Sequence, residues 1–269
     1  MMQKNFTLEQ HNWQNRHILQ IKENPLMKVV YEPKGGAKEY ADLACNIYMG
    51  CVHGCRYCYA PACMRRSEED WHKFATPRKD IIKHFTDDAK KMNEQGDDRS
   101  ILFSFVSDPY QPIERELMLT RRILQISKFY GLKTKVLTKG DASLVMRDFD
   151  IMSQAHTQLG VTVCFTDDKM RQEWEPHAST VGERFSLLKA AHDRGIYTWV
   201  SLEPVINPHQ ALSVIKKAAS YVDYWKIGKI NHMKSIEGLV EWKRFAEDVE
   251  ALLKKISANY YIKNSLRNL

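Results

Sequence analysis

The sequence predicts an α/β fold, a parallel sheet covered by helices. Three observations lead there. From about residue 42, short apolar runs rich in β-branched and aromatic residues alternate with longer segments of helical spacing, six of each. Runs such as Ile101-Leu102-Phe103-Ser104-Phe105-Val106 are apolar on both faces, as a doubly covered sheet requires. The chain has 269 residues, 43% of them hydrophobic and 27% charged, which is enough for a full core without staples. Strict β-α alternation suits a barrel or partial barrel and also an open doubly wound sheet, and periodicity does not choose between them. In either fold the chemistry belongs on loops at the C-terminal strand ends.

Taken in order, residues 1–40 are polar and irregular, with Pro33-Lys34-Gly35-Gly36 as a loop. Strands are predicted at 43–49, 101–107, 134–138, 161–165, 198–202 and 224–228. Helices are predicted at 81–95, 117–130, 144–155, 181–194, 209–220 and 236–256. Thr180 and Glu183 are spaced as a capping box. Asn207-Pro208 reads as N-cap followed by N1. Gly131 and Gly195 stand where helix-terminating glycines belong. These elements divide the chain into an N-terminal extension (1–40), a core (41–232) and a C-terminal helix and tail (233–269).

There is no run of 18 apolar residues, so no membrane span is expected. The start, Met1-Met2-Gln3-Lys4-Asn5-Phe6-Thr7, lacks the apolar stretch of a signal peptide, and the expected location is cytoplasmic. Forty basic against 33 acidic residues leave a net charge of +7. That balance permits a nucleic-acid partner and equally suits a soluble basic enzyme.

The cysteines say more than the charge. Of six, Cys45, Cys51, Cys55, Cys58 and Cys63 fall within 19 residues, and Cys164 stands apart. Clustered thiols in a chain of this size favour metal or redox chemistry over bridges. The loop after the first strand reads Cys51-Val52-His53-Gly54-Cys55-Arg56-Tyr57-Cys58-Tyr59, a C-x3-C-x2-C spacing. Three thiolates can hold three irons of a cubane and leave the fourth open. Gly50 and Gly54 let the backbone curl around such a cluster. A zinc site is the alternative, although it usually pairs two separated C-x2-C knuckles and only Cys55/Cys58 is present.

The C-x3-C-x2-C loop, with aromatic Tyr57 before the last cysteine, resembles the signature of the radical S-adenosylmethionine (SAM) enzymes. The resemblance implies a partial (β/α)6 TIM-like barrel with short terminal extensions. It also implies a [4Fe–4S] cluster on Cys51, Cys55 and Cys58, with SAM on the open iron. In that family the reduced cluster cleaves SAM to methionine and a 5′-deoxyadenosyl radical, and the electron comes from a donor such as flavodoxin or ferredoxin. Further segments resemble the spore photoproduct lyase-like branch over residues 40–210: Ser107-Asp108-Pro109-Tyr110-Gln111-Pro112-Ile113-Glu114, Leu137-Thr138-Lys139-Gly140, Glu175-Pro176-His177-Ala178 with Arg184, and Glu203-Pro204-Val205.

By that resemblance Tyr57 lies near the SAM adenine, Ser107 and Asp108 near its amino group, and Lys139 reaches its carboxylate. Other readings of these residues are a turn-forming Asp108 and a solvated Lys139. Tyr59 matches a tyrosine of the lyase's radical relay, or else is a packing aromatic. The lyase carries a hydrogen-donating cysteine near the tip of its second strand. Here that strand carries Phe105 and Val106, with no cysteine between Cys63 and Cys164. Cys164, on the expected fourth strand, is a candidate hydrogen donor or a buried structural thiol. The implied substrate is a nucleic acid or nucleotide; a peptide or small molecule is the alternative. Near the C-terminus Tyr260-Tyr261-Ile262-Lys263 mixes aromatic and basic residues in a way that suits base contacts or a final strand. Lys226 and Lys229 are candidates for meeting phosphate.

Overall fold

The computed structural model describes residues 29–231 and 233–269. The first seven residues and most of the N-terminal extension, 1–28, lie outside the described residues, as does position 232. The framework is an eight-stranded sheet in the order β1-β2-β5-β6-β7-β8-β9-β10. Its strands are β1 (Val30–Tyr31), β2 (Leu43–Cys45), β5 (Ile101–Phe103), β6 (Thr134–Thr138), β7 (Thr157–Thr162), β8 (Thr198–Val205), β9 (Tyr224–Lys229) and β10 (Tyr260–Ile262). Every pairing is parallel except β1 with β2. Two short strands, β3 (Tyr48–Met49) and β4 (Thr76–Pro77), form a separate antiparallel pair. The α/β class with a mostly parallel sheet is as expected. Among the described residues β1 and β10 each pair with one neighbour, so hydrogen bonds leave the sheet open.

The sheet has two unlike faces. Val136, Leu159, Val161, Val200, Leu202, Trp225 and Ile227 join the large core under the helices. Residues of the opposite parity turn inward, where Leu102 and Trp199 form a small second cluster with Tyr40 and Ala41, flanked by Leu137 and Tyr224. Gly160 makes room for it, because a Cβ there would run into the Trp199 indole. Ser201, Glu203 and Lys226 share this inner parity, so the concave side is polar as well as aromatic.

The helices are α1 (Ala60–Met64), α2 (Glu68–Lys73), α3 (Ile81–Glu94), α4 (Glu114–Leu117), α5 (Leu119–Phe129), α6 (Ala142–Arg147), α7 (Phe149–Met152), α8 (Asp168–Trp174), α9 (Val181–His192), α10 (Pro208–Ala218), α11 (Lys234–Glu237), α12 (Trp242–Lys255) and α13 (Asn264–Arg267). The Thr180/Glu183 capping box starts α9, and the Asn207 side chain accepts from the Gln210 amide at the start of α10. Gly131 and Gly195 both have positive φ.

Several boundaries move, each for a physical reason. The strand expected at 161–165 runs instead from 157 to 162. The buried run Val163-Cys164-Phe165 leaves the ladder and enters the loop above it, which apolar patterning does not distinguish from strand. The strand expected at 43–49 stops at Cys45, and Tyr48–Met49 pairs with Thr76–Pro77 instead. The strand expected at 101–107 stops at Phe103. The helix expected at 117–130 breaks at Met118, whose φ is +49°. There the buried Glu114 carboxylate accepts the Thr120 amide at 3.0 Å and so caps α5. The helix expected at 144–155 breaks at fully buried Asp148, which accepts hydrogen bonds from Tyr110, Arg121 and Arg147. The helix expected at 236–256 divides into α11 and α12, with Trp242 Nε1 donating to the Glu237 carbonyl.

The C-terminal tail is engaged within the fold. Tyr260–Ile262 is a strand beside β9, and the Tyr260 and Tyr261 hydroxyls donate to Glu250 and Glu39. Lys263 pairs with Glu203 at 2.9 Å, and Lys229 sits 5.9 Å from the Trp242 ring centroid.

Candidate functional site

Four loops meet at the C-terminal ends of β2, β5, β6 and β7. The cysteine loop follows the β3 segment. Gly50 has φ of +80°, and a Cβ there would run into the Phe74 carbonyl oxygen, so the turn requires glycine. The Cys51 amide donates to the Trp71 carbonyl at 3.0 Å, and His72 Nδ1 lies 2.8 Å from the Cys51 carbonyl oxygen. All three loop thiols are free; Cys55 is buried, and Cys51 and Cys58 are partly exposed. Burial pushes the Cys51 thiol up to about 11 and the Cys55 thiol up to about 12. Among the described residues no three His, Cys, Asp or Glu side chains gather around a single ion. A cubane differs in spreading its thiolates over separate irons.

The loop after β5 ties the cysteine loop down. Ser107 Oγ donates to the Gly50 carbonyl at 2.6 Å. Gln111, fully buried, donates to the same carbonyl and to Ser107 Oγ while accepting the Val52 amide. The Asp108 carboxylate accepts the Tyr110 amide at 2.8 Å, Thr138 Oγ1 at 2.7 Å and the Lys139 amide at 2.7 Å. Both predicted side chains are thus engaged with protein partners, Ser107 to the cysteine loop and Asp108 to the end of β6. His53 is 2% exposed, with Nδ1 3.7 Å from Asp108; burial lowers its pKa and keeps the ring neutral.

On the other flank, the loop after α8 grips the same segment by its backbone. The Arg56 amide donates to the Trp174 carbonyl at 2.9 Å, and the His177 amide donates to the His53 carbonyl at 3.1 Å. The Ser179 amide and hydroxyl both donate to the Lys139 carbonyl. Under this clamp lies an ion pair the sequence reading left unassigned. Glu175 and Arg184 are 0% and 1% exposed, 2.5 Å apart. The Tyr57 hydroxyl donates to Glu175. Burial alone would raise the Glu175 carboxyl, but the Arg184 and Lys139 cations and the Tyr57 hydroxyl hold it below its ordinary value. One signal for the pair was available: Arg184 falls on the apolar stripe of α9 with Val181, Phe185 and Leu188, and a buried arginine requires a buried acid.

Lys139 Nζ stands 5.6 Å from the Tyr57 ring centroid. Burial disfavours its charge, but Cys55, Glu175 and Asp108 outweigh that and raise its pKa, so it stays a cation. Cys164, 1% exposed, lies in the same neighbourhood. Burial and Glu175 push its thiol up, against the opposing effects of Lys139 and Arg184. Tyr59 is half exposed, and its hydroxyl donates to the Phe105 carbonyl at 2.9 Å. Cys45 is buried in β2, and Cys63 is exposed on α1.

Three free thiols thus lie on one glycine-turned loop, with the Lys139 cation beside them at the C-terminal mouth of a mostly parallel α/β sheet. The family model of the Radical SAM superfamily matches residues 45–222, and the chain belongs to that superfamily. Its members generally use a [4Fe–4S] cluster and SAM. Two relatives are uncharacterized proteins. MJ0683 of Methanocaldococcus jannaschii is 31% identical over 60% of this chain and 59% of its own length. ORF301 of Acidianus two-tailed virus is 25% identical over 71% of this chain and 65% of its own length. The chain thus spans less than two thirds of either relative.

Among solved structures, spore photoproduct lyase complexed with dinucleoside spore photoproduct superposes with a TM-score of 0.64. It is 13% identical and covers 86% of this chain and 80% of the lyase. Streptococcus suis SuiB bound to S-adenosylmethionine gives 0.62 at 12% identity, covering 82% of this chain and 50% of SuiB. The fold therefore matches barrel-like radical SAM neighbours. No helix among the described residues is long and apolar enough to cross a membrane.

Proposed function

We propose that this chain is a radical SAM enzyme acting on a nucleic-acid or nucleotide substrate in the manner of the spore photoproduct lyase-like branch. The observation that carries the reading is the C-x3-C-x2-C loop, hydrogen-bonded on one flank to Gln111 and Ser107 and on the other to the 174–177 segment. The residues fit the group. Cys51, Cys55 and Cys58 are unbridged and would hold three irons, and the Lys139 ammonium beside Cys55 would offset the charge the thiolates bring. When bound, the cluster and SAM supply a 5′-deoxyadenosyl radical that abstracts hydrogen from substrate.

The chain's own residues do the rest. Lys139 would receive the SAM carboxylate, and Tyr57, fixed through its hydroxyl by Glu175, would present its ring to the adenine. Asp108 sets the Lys139 backbone, and Ser107 fixes the turn that faces the SAM amino group. Cys164 stays protonated, the form a hydrogen donor needs, and Tyr59 faces the open side as the alternative donor. A low-potential electron carrier of the flavodoxin or ferredoxin class supplies the electron. Likeness to the lyase holding a dinucleoside supports the nucleic-acid reading. A structure of SuiB bound to its precursor peptide, at TM-score 0.51 over 67% of this chain, supports a peptide as the second reading.

Anaerobic reconstitution with iron and sulfide tests the first step. A brown protein that cleaves SAM after reduction supports the enzyme, and a colourless zinc-loaded protein overturns it. Deuterium exchange with SAM across DNA, RNA and peptide panels then decides the substrate class.

A further inference from the structure

The opposite end of the sheet carries a second cavity, of about 350 Å3, within the size range of small-molecule sites. Its walls come from the N-terminal ends of the strands. Asp42 precedes β2, Lys135 is the second residue of β6, Tyr197 precedes β8, Trp199 is the second residue of β8, and Tyr224 opens β9. It therefore faces away from the cysteine loop. The segment 38–42 crosses it and contributes Tyr40.

Two features of the lining call for a ligand. The first is an excess of positive charge: Lys38, Lys135 and Lys226 line the cavity against Asp42 and Glu39. Lys135 and Lys226 face the cavity, and among the described residues neither has a carboxylate within ion-pair distance. Lys135 Nζ reaches only the Tyr40 carbonyl, at 3.5 Å, and Lys226 Nζ donates to the Glu39 carbonyl with the Tyr40 ring centroid 4.5 Å away. The nearby Glu39 carboxylate is already taken by the Tyr261 hydroxyl and the Asn264 amide. Burial, with Lys135 and Lys263 close by, pulls the Lys226 ammonium down to about 7. An anion between Lys135 and Lys226 would relieve that repulsion. The second feature is aromatic. Trp199, 2% exposed, leaves its Nε1 without an acceptor among the described residues, and Tyr197 and Tyr224 stand beside it in the wall. Aromatic faces next to paired cations suit a ligand that is itself part ring and part anion.

We propose that this cavity binds a nucleoside monophosphate, with the base against Tyr197 and Tyr224 and the phosphate on Lys135 and Lys226. Inorganic phosphate lacks the ring and adenosine lacks the charge, so each satisfies half of the wall. The site is independent of the cluster and of SAM.

Calorimetric titration of the full chain with adenosine 5′-monophosphate, adenosine and inorganic phosphate tests it. The expected result is saturable binding of the monophosphate, tighter than either fragment. Lys226→Met and Lys135→Met should each weaken it about tenfold or more, the loss of one charge-assisted contact. Tyr197→Ala, at a position 41% exposed where the fold is not at risk, should weaken it several-fold. Cys55→Ala should leave the affinity unchanged, which separates this cavity from the SAM end. The proposal is overturned by absence of saturable binding, by phosphate binding as tightly as the nucleotide, or by displacement of the nucleotide with SAM. Affinities within twofold of the parent in both lysine variants and in Tyr197→Ala also overturn it.

Discussion

Cys55 and its two neighbours carry the first expectation at the scale of single residues. Cys51→Ala, Cys55→Ala or Cys58→Ala should each abolish cluster assembly, read as loss of visible absorbance after reconstitution. Cys45→Ala and Cys63→Ala should keep it, because Cys45 is enclosed in β2 and Cys63 faces solvent on α1. Loss of the cluster in Cys63→Ala alone would reject the assignment. Cys164→Ala should still yield 5′-deoxyadenosine within a few-fold of the parent rate. A changed product yield at constant SAM cleavage marks a hydrogen donor. A joint fall with stability, by about 1 kcal/mol, marks a packing role.

The Glu175–Arg184 pair makes a different residue-scale expectation. Arg184→Met takes away the ion-pair partner of a buried carboxylate, and breaking such a pair costs about 3–5 kcal/mol. Because the folded-state pKa of Glu175 lies below its ordinary 4.5, its contribution is in place above that pH. It is lost as pH falls through the lower folded value. Acid unfolding followed by circular dichroism should therefore show a shallower slope below pH 4.5 in Glu175→Gln than in the parent. An identical acid limb in the two proteins would contradict the direction of the shift.

At the scale of elements, the site is a junction of loops whose backbones hold one another. Asp108 links β5 to β6 through Thr138 and the Lys139 amide, so Asp108→Ala and Lys139→Ala should differ. On the proposed reading, Lys139→Ala removes one charge-assisted contact with SAM. Equilibrium binding should weaken by about 10- to 150-fold, corresponding to about 1.5–3 kcal/mol, with the cluster intact. Asp108→Ala should weaken SAM binding and also lower thermal stability, since it frees the Tyr110 amide, Thr138 Oγ1 and the Lys139 amide. Unchanged SAM affinity in both variants would remove Lys139 from the site. Gly50→Ala should cost about 1–3 kcal/mol of strain at its positive φ, and more from the collision with Phe74. Impaired cluster assembly is its expected readout.

The whole molecule places two chemically unlike ends on one sheet. Thiols, Lys139 and the clamped loops occupy the C-terminal strand ends, and aromatic residues with Lys135 and Lys226 line the N-terminal cavity. A net charge of +7 gives any nucleic-acid binding a steep salt dependence. Single-stranded DNA affinity should fall log-linearly as salt rises from 50 to about 200 mM. A flat salt response, with deuterium appearing in a peptide, would favour the peptide reading.

Local sequence patterns settled the element types and the cysteine loop. Alternating apolar runs made a parallel sheet legible, the Thr180/Glu183 box and Asn207-Pro208 placed two helix starts, and C-x3-C-x2-C needed only its own spacing. Long-range contacts decided the rest. Val163-Cys164-Phe165 is as apolar as a strand but finds its burial in a loop. Met118 and Asp148 interrupt helices where Glu114 and Asp148 serve as buried acceptors, Glu114 for the Thr120 amide and the Arg147 guanidinium and Asp148 for Arg121. The aromatic and basic tail became an edge strand because β9 offered an unpaired neighbour. Glu175 and Arg184 meet because the loop after α8 packs against α9. Periodicity and capping act over a few residues and can be read from the chain, whereas the partner of a buried charge is set by which elements pack together.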